Sequence, residues 1–239
     1  MLFDILAGDN IRDIIINFLL TLPVILIALS FHEAAHAYVA YKMGDRTAYN
    51  LGRVTLNPAK HLDLVGSLWM LVFGYGWAKP VPINARNFRD PKRGMAFTAI
   101  AGPLMNLFLG IIGTVLCSAT AFYLTINIYA LMNNDLLYRI ILSLWQFLYY
   151  FAMLNFILML YNMIPFPPFD GSRFFGLLLP EKVYWGIMRY ERYTLIAIIA
   201  ISFLCSRFLN FSPFYWVASK LFEFVSEPIL MLLEKITFG

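Results

Sequence analysis

Three long stretches of the chain contain only uncharged and mostly apolar residues. They run from Ile14 to Phe31, from Gly94 to Asn134 and from Ile140 to Phe169. A helix needs about 20 apolar residues, within a range of roughly 17–25, to cross a bilayer. We therefore predict membrane-spanning helices at about Ile14 to Met43, Met95 to Leu124 and Leu136 to Ile164.

The segment from Gly44 to Arg93, between the first two predicted spans, is rich in Gly, Pro, Asn and charged residues. Within it, Gly52 to Leu56 and Ala78 to Ile83 are short runs closed by turn residues, a pattern typical of β-strands. Leu64 to Phe73 is apolar but too short to span a bilayer, so we expect a re-entrant or half-buried helix there. The first span is thus followed by irregular, membrane-associated structure.

The chain beyond Arg192 has a weaker hydrophobic pattern. Tyr193 to Ser206 is predicted to form a fourth, short span. The tail from Ser212 to Thr237 gathers its charged residues on one helical face, at Lys220, Glu223, Glu227 and Glu234. Such a tail lies in the membrane interface or packs as a further span.

The composition agrees with a membrane protein. Of the 239 residues, 61% are hydrophobic and 13% are charged, against roughly 45–50% and 25% in soluble domains. These values exclude a soluble globule, a disordered chain and a nucleic-acid-binding protein. We predict an all-α polytopic membrane protein with four to six transmembrane helices and short membrane-associated β-strands. Residues 1–239 form one domain, with a three-helix core at about 14–173 and C-terminal helices at about 193–236.

Lysine and arginine residues are distributed unevenly along the chain. Nine of the eighteen lie between Lys42 and Arg93, four more lie between Gly171 and Arg192, and the loop around Thr125 to Asp135 has none. Basic residues in short loops favour the cytoplasmic side of a membrane. We therefore expect the first and third spans to end at the cytoplasm and the acidic N-terminus to lie outside. Binding of the basic loop to anionic lipid is compatible with the same topology.

Two of the three histidines, His32 and His36, stand four residues apart near the end of the first span, with Glu33 beside the first. Four residues are slightly more than one helical turn, so both imidazoles leave the same helix face and can bind one metal ion. Glu33 can then act as a general base toward a water molecule. Ionisable groups at membrane depth are costly and by default indicate function. The alternative is that neighbouring carbonyls satisfy the histidines and that Glu33 is protonated or paired.

A tetrahedral catalytic zinc needs a third protein ligand. The main downstream candidates are His61, Asp63, Asp90, Asp135, Asp170, Glu181 and Glu191. Asp135 is excluded because it should lie on the opposite side of the membrane. Asp170 is favoured because the Pro-rich run before it ends the third span, and Gly171 gives the backbone freedom to turn inward. A helix cap or Asx-turn is the alternative role of Asp170.

Several motifs occur together between Ser30 and Arg173. They are His32-Glu33-Ala34-Ala35-His36, Gly52 to Asp63, Gly76 to Pro82, Ala101 to Asn106, and Asn162-Met163-Ile164-Pro165 followed by Asp170-Gly171. The set resembles the site-2 protease family of intramembrane zinc metalloproteases, in its compact bacterial branch without a PDZ domain. One departure is Ser172, where the family pattern has a second glycine.

The resemblance implies one zinc ion per chain, with His32, His36 and Asp170 as ligands and Glu33 as the catalytic base. It places Asn162 near the active site, where this side chain holds the substrate carbonyl or its oxyanion. It also implies hydrolysis of peptide bonds within or near transmembrane segments of protein substrates in a bacterial cell membrane. The active site is then expected to open toward the cytoplasm.

Three other polar features near the motifs have less specific roles. Asn106, close to the Gly-Pro step of the second span, is expected mainly to satisfy freed backbone groups. His61 is expected to fasten its loop. The extended pieces at Arg53 to Leu56 and Lys79 to Ile83 are expected to accept an unwound substrate segment by strand addition.

Two other functions stay compatible with the sequence. One is a different membrane metalloprotease whose third ligand is a glutamate on a later helix, although Glu181 and Glu191 lie in a polar connection without a matching motif. The other is a metal-binding but catalytically silent membrane scaffold or chaperone, against which the intact Glu33 argues. The sequence indicates neither the substrate nor the oligomeric state.

Overall fold

The structure is a computed structural model that describes residues 10–63, 66, 78–209 and 211–238. Its helices are α1 (Ile11–Lys42), α2 (Thr47–Asn50), α3 (Pro91–Ile126), α4 (Ile128–Met132), α5 (Asp135–Asn162), α6 (Asp170–Gly176), α7 (Glu181–Met188), α8 (Glu191–Leu209) and α9 (Pro213–Phe238). Two 3₁₀ turns, Pro58–Lys60 and Ala85–Asn87, lie between α2 and α3. The predicted all-α class is confirmed for this part of the chain.

Three helices have the length and composition to cross a membrane. They are α3, α5 and the Phe18–Lys42 part of α1, and each overlaps one of the three uncharged stretches of the sequence. The predicted total of four to six spans is not confirmed among the described residues. Helices α8 and α9 do form, but α9 carries Lys220, Glu223 and Glu227 within eight residues, which is more charge than a regular span tolerates.

The three spanning helices pack against one another. Val24 of α1, Leu109 of α3 and Phe151 of α5 form one buried apolar cluster. Helix α9 lies against α3 and α5, where Ala218 joins a second buried cluster with Met153 and Phe156. The small residues along α3 allow this close approach, as is usual where helices associate in a membrane.

The β-strands predicted between α1 and α3 are absent from the described residues. The structure there has one isolated antiparallel bridge, between Leu62 and Ala78. The N–H of Lys79 donates to the carbonyl of His61 at 2.8 Å, but Pro80 and Pro82 have no N–H with which to continue a ladder. The predicted re-entrant helix at Leu64 to Phe73 lies outside the described residues, apart from Gly66.

A buried carboxylate holds this loop together. Asp45 accepts hydrogen bonds from the N–H of Thr47 at 3.0 Å, the N–H of Asn84 at 2.7 Å and the side chain of Asn87 at 2.7 Å. Burial raises the pKa of the Asp45 carboxyl, but these hydrogen bonds outweigh that effect and hold the pKa below its ordinary value. The residues after α1 are thereby tied to the segment that leads into α3.

Candidate metal centre

His32 and His36 of α1 and Asp170 at the start of α6 converge on one point. The Oδ2 atom of Asp170 lies 3.2 Å from Nε2 of His32 and 3.1 Å from Nε2 of His36, and the two Nε2 atoms are 3.0 Å apart. Each histidine is only 5% exposed. The four-residue spacing thus places both imidazoles on one face of α1, as the sequence predicted, and the turn after α5 brings the carboxylate to them.

The other nitrogen of each imidazole binds a group of α3. Nδ1 of His36 donates to the carbonyl oxygen of Thr98 at 2.7 Å, and Nδ1 of His32 lies 2.5 Å from Oδ1 of Asn106. A carbonyl oxygen can only accept, so each Nδ1 carries the proton and a neutral ring keeps its lone pair on Nε2. Such outer partners orient histidines that ligate metals.

The converging atoms form a donor set suited to zinc. The two Nε2 atoms and Oδ2 of Asp170 all lie within 4.8 Å of one another. All three atoms can donate an electron pair, and they repel one another unless a cation or a shared proton lies between them. Two imidazole nitrogens and one carboxylate oxygen are ligands that zinc takes in catalytic sites, where a further position stays open.

Asp170 is electrostatically coupled to the two histidines. Burial by itself raises the pKa of its carboxyl, but when the imidazoles are protonated, the charge of His36 and the hydrogen bonds of His32 and His36 hold this pKa well below its ordinary range. A cation bound between the three side chains would take the place of those protons.

Two glycines make room for this arrangement. A Cβ atom added at Gly102 would lie 2.5 Å from Cε1 of His32 and from Nε2 of His36, so the imidazoles pack directly on the α3 backbone. A Cβ atom at Gly171 would lie 2.6 Å from the carbonyl oxygens of Met163 and Ile164. Since the φ of Gly171 is not positive, this glycine provides space and not the conformational freedom that was expected of it.

Glu33 and Asn162 border the same centre. A cavity of about 140 Å³ is lined by these two side chains together with the three converging residues. Oε2 of Glu33 accepts a hydrogen bond from the N–H of Val81 at 2.9 Å. The Asn162 amide nitrogen donates within its own helix to the carbonyl of Leu158 at 3.0 Å. Arg173, which sequence reasoning did not single out, also lines the cavity.

Buried Arg53 fixes the segment that covers Glu33. Its guanidinium donates to the carbonyls of Lys79 at 2.5 Å and Pro80 at 3.3 Å, and it is only 5% exposed. These two residues directly precede Val81, whose N–H binds Glu33. The orientation of the Glu33 carboxylate thus depends on a cation 20 residues further along the chain.

The other candidate third ligands lie elsewhere. His61 donates from Nε2 to the carbonyl of Thr55 at 2.8 Å, so it fastens its loop as expected. Asp90 accepts from the N–H of Arg93 at 3.1 Å and caps α3. Asp135 pairs with Arg139 at 2.9 Å at the far end of α5. None of them joins the group formed by the three converging residues.

The structure differs from the expectation for Asn106. Its carbonyl oxygen binds His32, whereas its contact with a backbone group, the carbonyl of Ala28, is long at 3.4 Å. Its amide nitrogen donates instead to Oδ1 of Asn155 at 2.8 Å. Asn155 itself was missed, although an amide inside an otherwise apolar span was the available signal.

Comparison with known proteins agrees with the site. Residues 20–205 match peptidase family M50. A protein of Bacillus subtilis (strain 168) named "Putative zinc metalloprotease YwhC" is 40% identical over 177 residues, which make up 74% of this chain and 77% of that protein. No solved structure is significantly similar to the chain.

Two more distant relatives carry similar names. "Putative zinc metalloprotease Rip2" of Mycolicibacterium smegmatis is 26% identical over 183 residues, 74% of this chain and 63% of that protein. "Zinc metalloprotease MJ0392" of Methanocaldococcus jannaschii is 25% identical over 178 residues, 74% of this chain and 40% of that protein. The chain spans less than two thirds of these two relatives. The family match covers most of the chain and includes the whole convergent site, so the chain belongs to peptidase family M50, the site-2 protease family, and is a metalloprotease of the membrane.

Proposed function

We propose that the chain is an intramembrane zinc metalloprotease that hydrolyses peptide bonds within or near the transmembrane segments of membrane-protein substrates. The observation that carries the proposal is the convergence of His32, His36 and Asp170, with Glu33 beside them, at the end of a spanning helix. The three converging side chains hold one zinc ion per chain. Glu33 is the catalytic base, and Asn162 contacts the substrate carbonyl or its oxyanion.

The residues around the site have separate tasks in this reaction. Zinc in such a donor set polarises a carbonyl and lowers the pKa of a water molecule to about 7. Glu33 takes a proton from the water and passes it to the leaving amine. The N–H of Val81 holds one carboxylate oxygen of Glu33, so the other oxygen faces the reaction in a fixed orientation.

Substrate has to enter a narrow site. A cavity of about 140 Å³ holds a few water molecules, at about 30 Å³ each, but no unwound peptide segment. We therefore expect the segment from Pro80 to Ile83, which borders the cavity, to move aside when substrate binds. Strand addition onto Lys79 to Ile83 is disfavoured, because the N–H groups of Lys79 and Val81 are engaged by His61 and Glu33 and the two prolines have none.

The membrane arrangement is part of the proposal. The basic residues before α3 and after α5 favour a cytoplasmic active site with the N-terminus outside, and α8 and α9 are further membrane-associated helices of one domain. Single cysteines at Arg89 and Asn133, in a variant lacking Cys117 and Cys205, test this arrangement with a membrane-impermeant thiol reagent. In right-side-out vesicles, Asn133→Cys should react and Arg89→Cys should not. The opposite pattern would reverse the orientation.

Cleavage of a single-span test substrate by purified protein in detergent tests the proposed activity. We expect the native chain to bind one zinc ion and to cut within or near the span, while Glu33→Gln binds the same amount of zinc and does not cut. If both proteins bind zinc and neither cuts any of several substrates, the silent scaffold becomes the better explanation. If Asp170→Ala keeps its zinc, the third ligand is a different acid and the site belongs to another class of metalloprotease.

A further inference from the structure

A row of buried amides connects α5 to the candidate metal centre through α3. Asn155 and Asn106 are both fully buried, at 0% exposure. The Asn155 amide nitrogen donates to the carbonyl of Phe151 at 2.8 Å, and its Oδ1 accepts from the Asn106 amide nitrogen at 2.8 Å. Oδ1 of Asn106 then lies 2.5 Å from Nδ1 of His32. Three groups on three spanning helices thus share one hydrogen-bonded path.

The donors and acceptors along this hydrogen-bonded path can be arranged in only one direction. The backbone carbonyl of Phe151 can only accept, so the NH₂ group of Asn155 faces it and the oxygen of Asn155 faces Asn106. Asn106 must then donate with its own NH₂ group, which turns its oxygen toward His32. Nδ1 of His32 therefore carries the proton, and the Nε2 lone pair is left for a metal ion.

We propose that Asn155 is a positioning residue of the metal centre, which fixes the His32 tautomer through Asn106. The inference rests on the proposed function, since it treats His32 as a zinc ligand. Asn155 touches neither the metal-binding atoms nor the cavity of Glu33, so it is not a catalytic residue.

Only His32 needs such a positioning residue, because the hydrogen-bond acceptors of the two histidines differ. The partner of His36 is the Thr98 backbone carbonyl, which cannot turn round. The partner of His32 is a side-chain amide, which in a 180° rotation would present NH₂ to the imidazole. That rotation would favour the proton on Nε2, where it blocks metal binding. The carbonyl of Ala28, 3.4 Å from the Asn106 nitrogen, makes only a long hydrogen bond and fixes the amide weakly by itself.

Zinc affinity of the metal-free protein, measured by competition with a chelator, tests the inference without reference to activity. We expect Asn155→Leu to weaken zinc binding by up to about 10- to 100-fold, the usual effect of losing an outer partner of a metal-ligating histidine, because Asn106 is then free to turn its oxygen away from His32. Phe156→Leu is the matched control, because Phe156 is the next residue, fully buried and packed in the same helix interface. It should lower thermal stability and leave zinc affinity unchanged.

A second substitution separates positioning from a merely structural role. In Asn106→Asp both oxygens of the ionised carboxylate can only accept, so His32 keeps its proton on Nδ1 whatever Asn155 does. Adding Asn155→Leu to Asn106→Asp should therefore cause no further loss of zinc affinity. An equal loss in both backgrounds would overturn the proposal, because it would show that Asn155 acts on the fold and not through the amide.

The tautomer of His32 can also be measured directly in the native protein, so the inference can be tested even if a variant fails to fold. Nitrogen chemical shifts of ¹⁵N-histidine-labelled, metal-free native protein should show His32 protonated on Nδ1 in its neutral form. Protonation on Nε2 would refute the proposal. If His32→Ala does not weaken zinc binding, it is the proposed function that fails, whereas native zinc affinity in Asn155→Leu would refute only the role of Asn155.

Discussion

Replacing Gly102 with alanine should disable the metal centre by displacing its two imidazoles. The added Cβ atom would lie 2.5 Å from Cε1 of His32 and from Nε2 of His36, whereas atoms in contact are separated by about 3.5–4.0 Å. The rings, or α3 itself, must therefore move by about 1–1.5 Å. Metal sites require their ligands within about 0.5 Å of the productive geometry.

The magnitude of the effect follows from this displacement. A misplacement of about 1 Å lowers the rate of an enzyme on the order of 100-fold, and we expect at least that loss in cleavage of a single-span substrate. Zinc content after dialysis should fall together with the rate, because the ligands themselves have moved. Both quantities are measured on the purified protein in detergent.

Gly110→Ala provides the control for steric strain in α3. Its Cβ atom would lie 2.5 Å from Cε1 of Phe156, so the crowding is equally severe but lies two helical turns from Gly102. Both substitutions should lower the thermal unfolding temperature, and only Gly102→Ala should lose zinc. If Gly102→Ala keeps its full zinc content and its activity, the close packing of the imidazoles on α3 is not needed and the reasoning fails.

Three further predictions concern the surroundings of the centre. Asp170→Ala should abolish zinc binding in a chelator competition, while Asp90→Ala, which removes only a helix cap, should not. Arg53→Ala should retain zinc but lower kcat, because the segment carrying the Val81 N–H is released, and Arg53→Lys should restore part of the rate; an unchanged kcat would contradict this role. The lowered pKa of Asp45 adds stability above its unfolded pKa of about 3.9, and this stability is lost as the pH falls through the folded pKa. Thermal unfolding should therefore show a larger loss below pH 4 for the native chain than for Asp45→Asn, and equal losses would contradict the assignment.

The spans and the histidine pair were predictable because the signals are local. A membrane helix must satisfy its own backbone hydrogen bonds, so the length of an uncharged run nearly suffices to identify it. The spacing of His32 and His36 fixes their common face by helix geometry alone. The role of Asp170 was harder to predict, because its distance from the histidines depends on how the chain turns after α5. The sequence pattern alone was also compatible with a helix cap or an Asx-turn at this residue.

The absence of the predicted strands from the described residues and the role of Asn106 could not be predicted, because both depend on partners distant in sequence. The run from Ala78 to Ile83 has the composition of a strand, but the N–H groups of Lys79 and Val81 donate to His61 and Glu33, and the two prolines have no N–H. Asn106 was expected to serve the backbone near Pro103. Its true partners, His32 and Asn155, are 74 and 49 residues away, and only the packing of three helices brings them together.

Helix α3 provides none of the proposed metal ligands, but its residues position both imidazoles of the candidate metal centre. Thr98, Gly102 and Asn106 follow one another at intervals of four along α3, the same interval that separates His32 from His36 on α1. Thr98 binds His36, Asn106 binds His32, and Gly102 lies between them under both rings. The two helices therefore run antiparallel here with matched faces, one supplying the imidazoles and the other their acceptors and the space they occupy. The acceptors and the glycine of α3 therefore support the proposed metal site together with the histidines, because they hold both imidazoles in the orientation that metal binding needs.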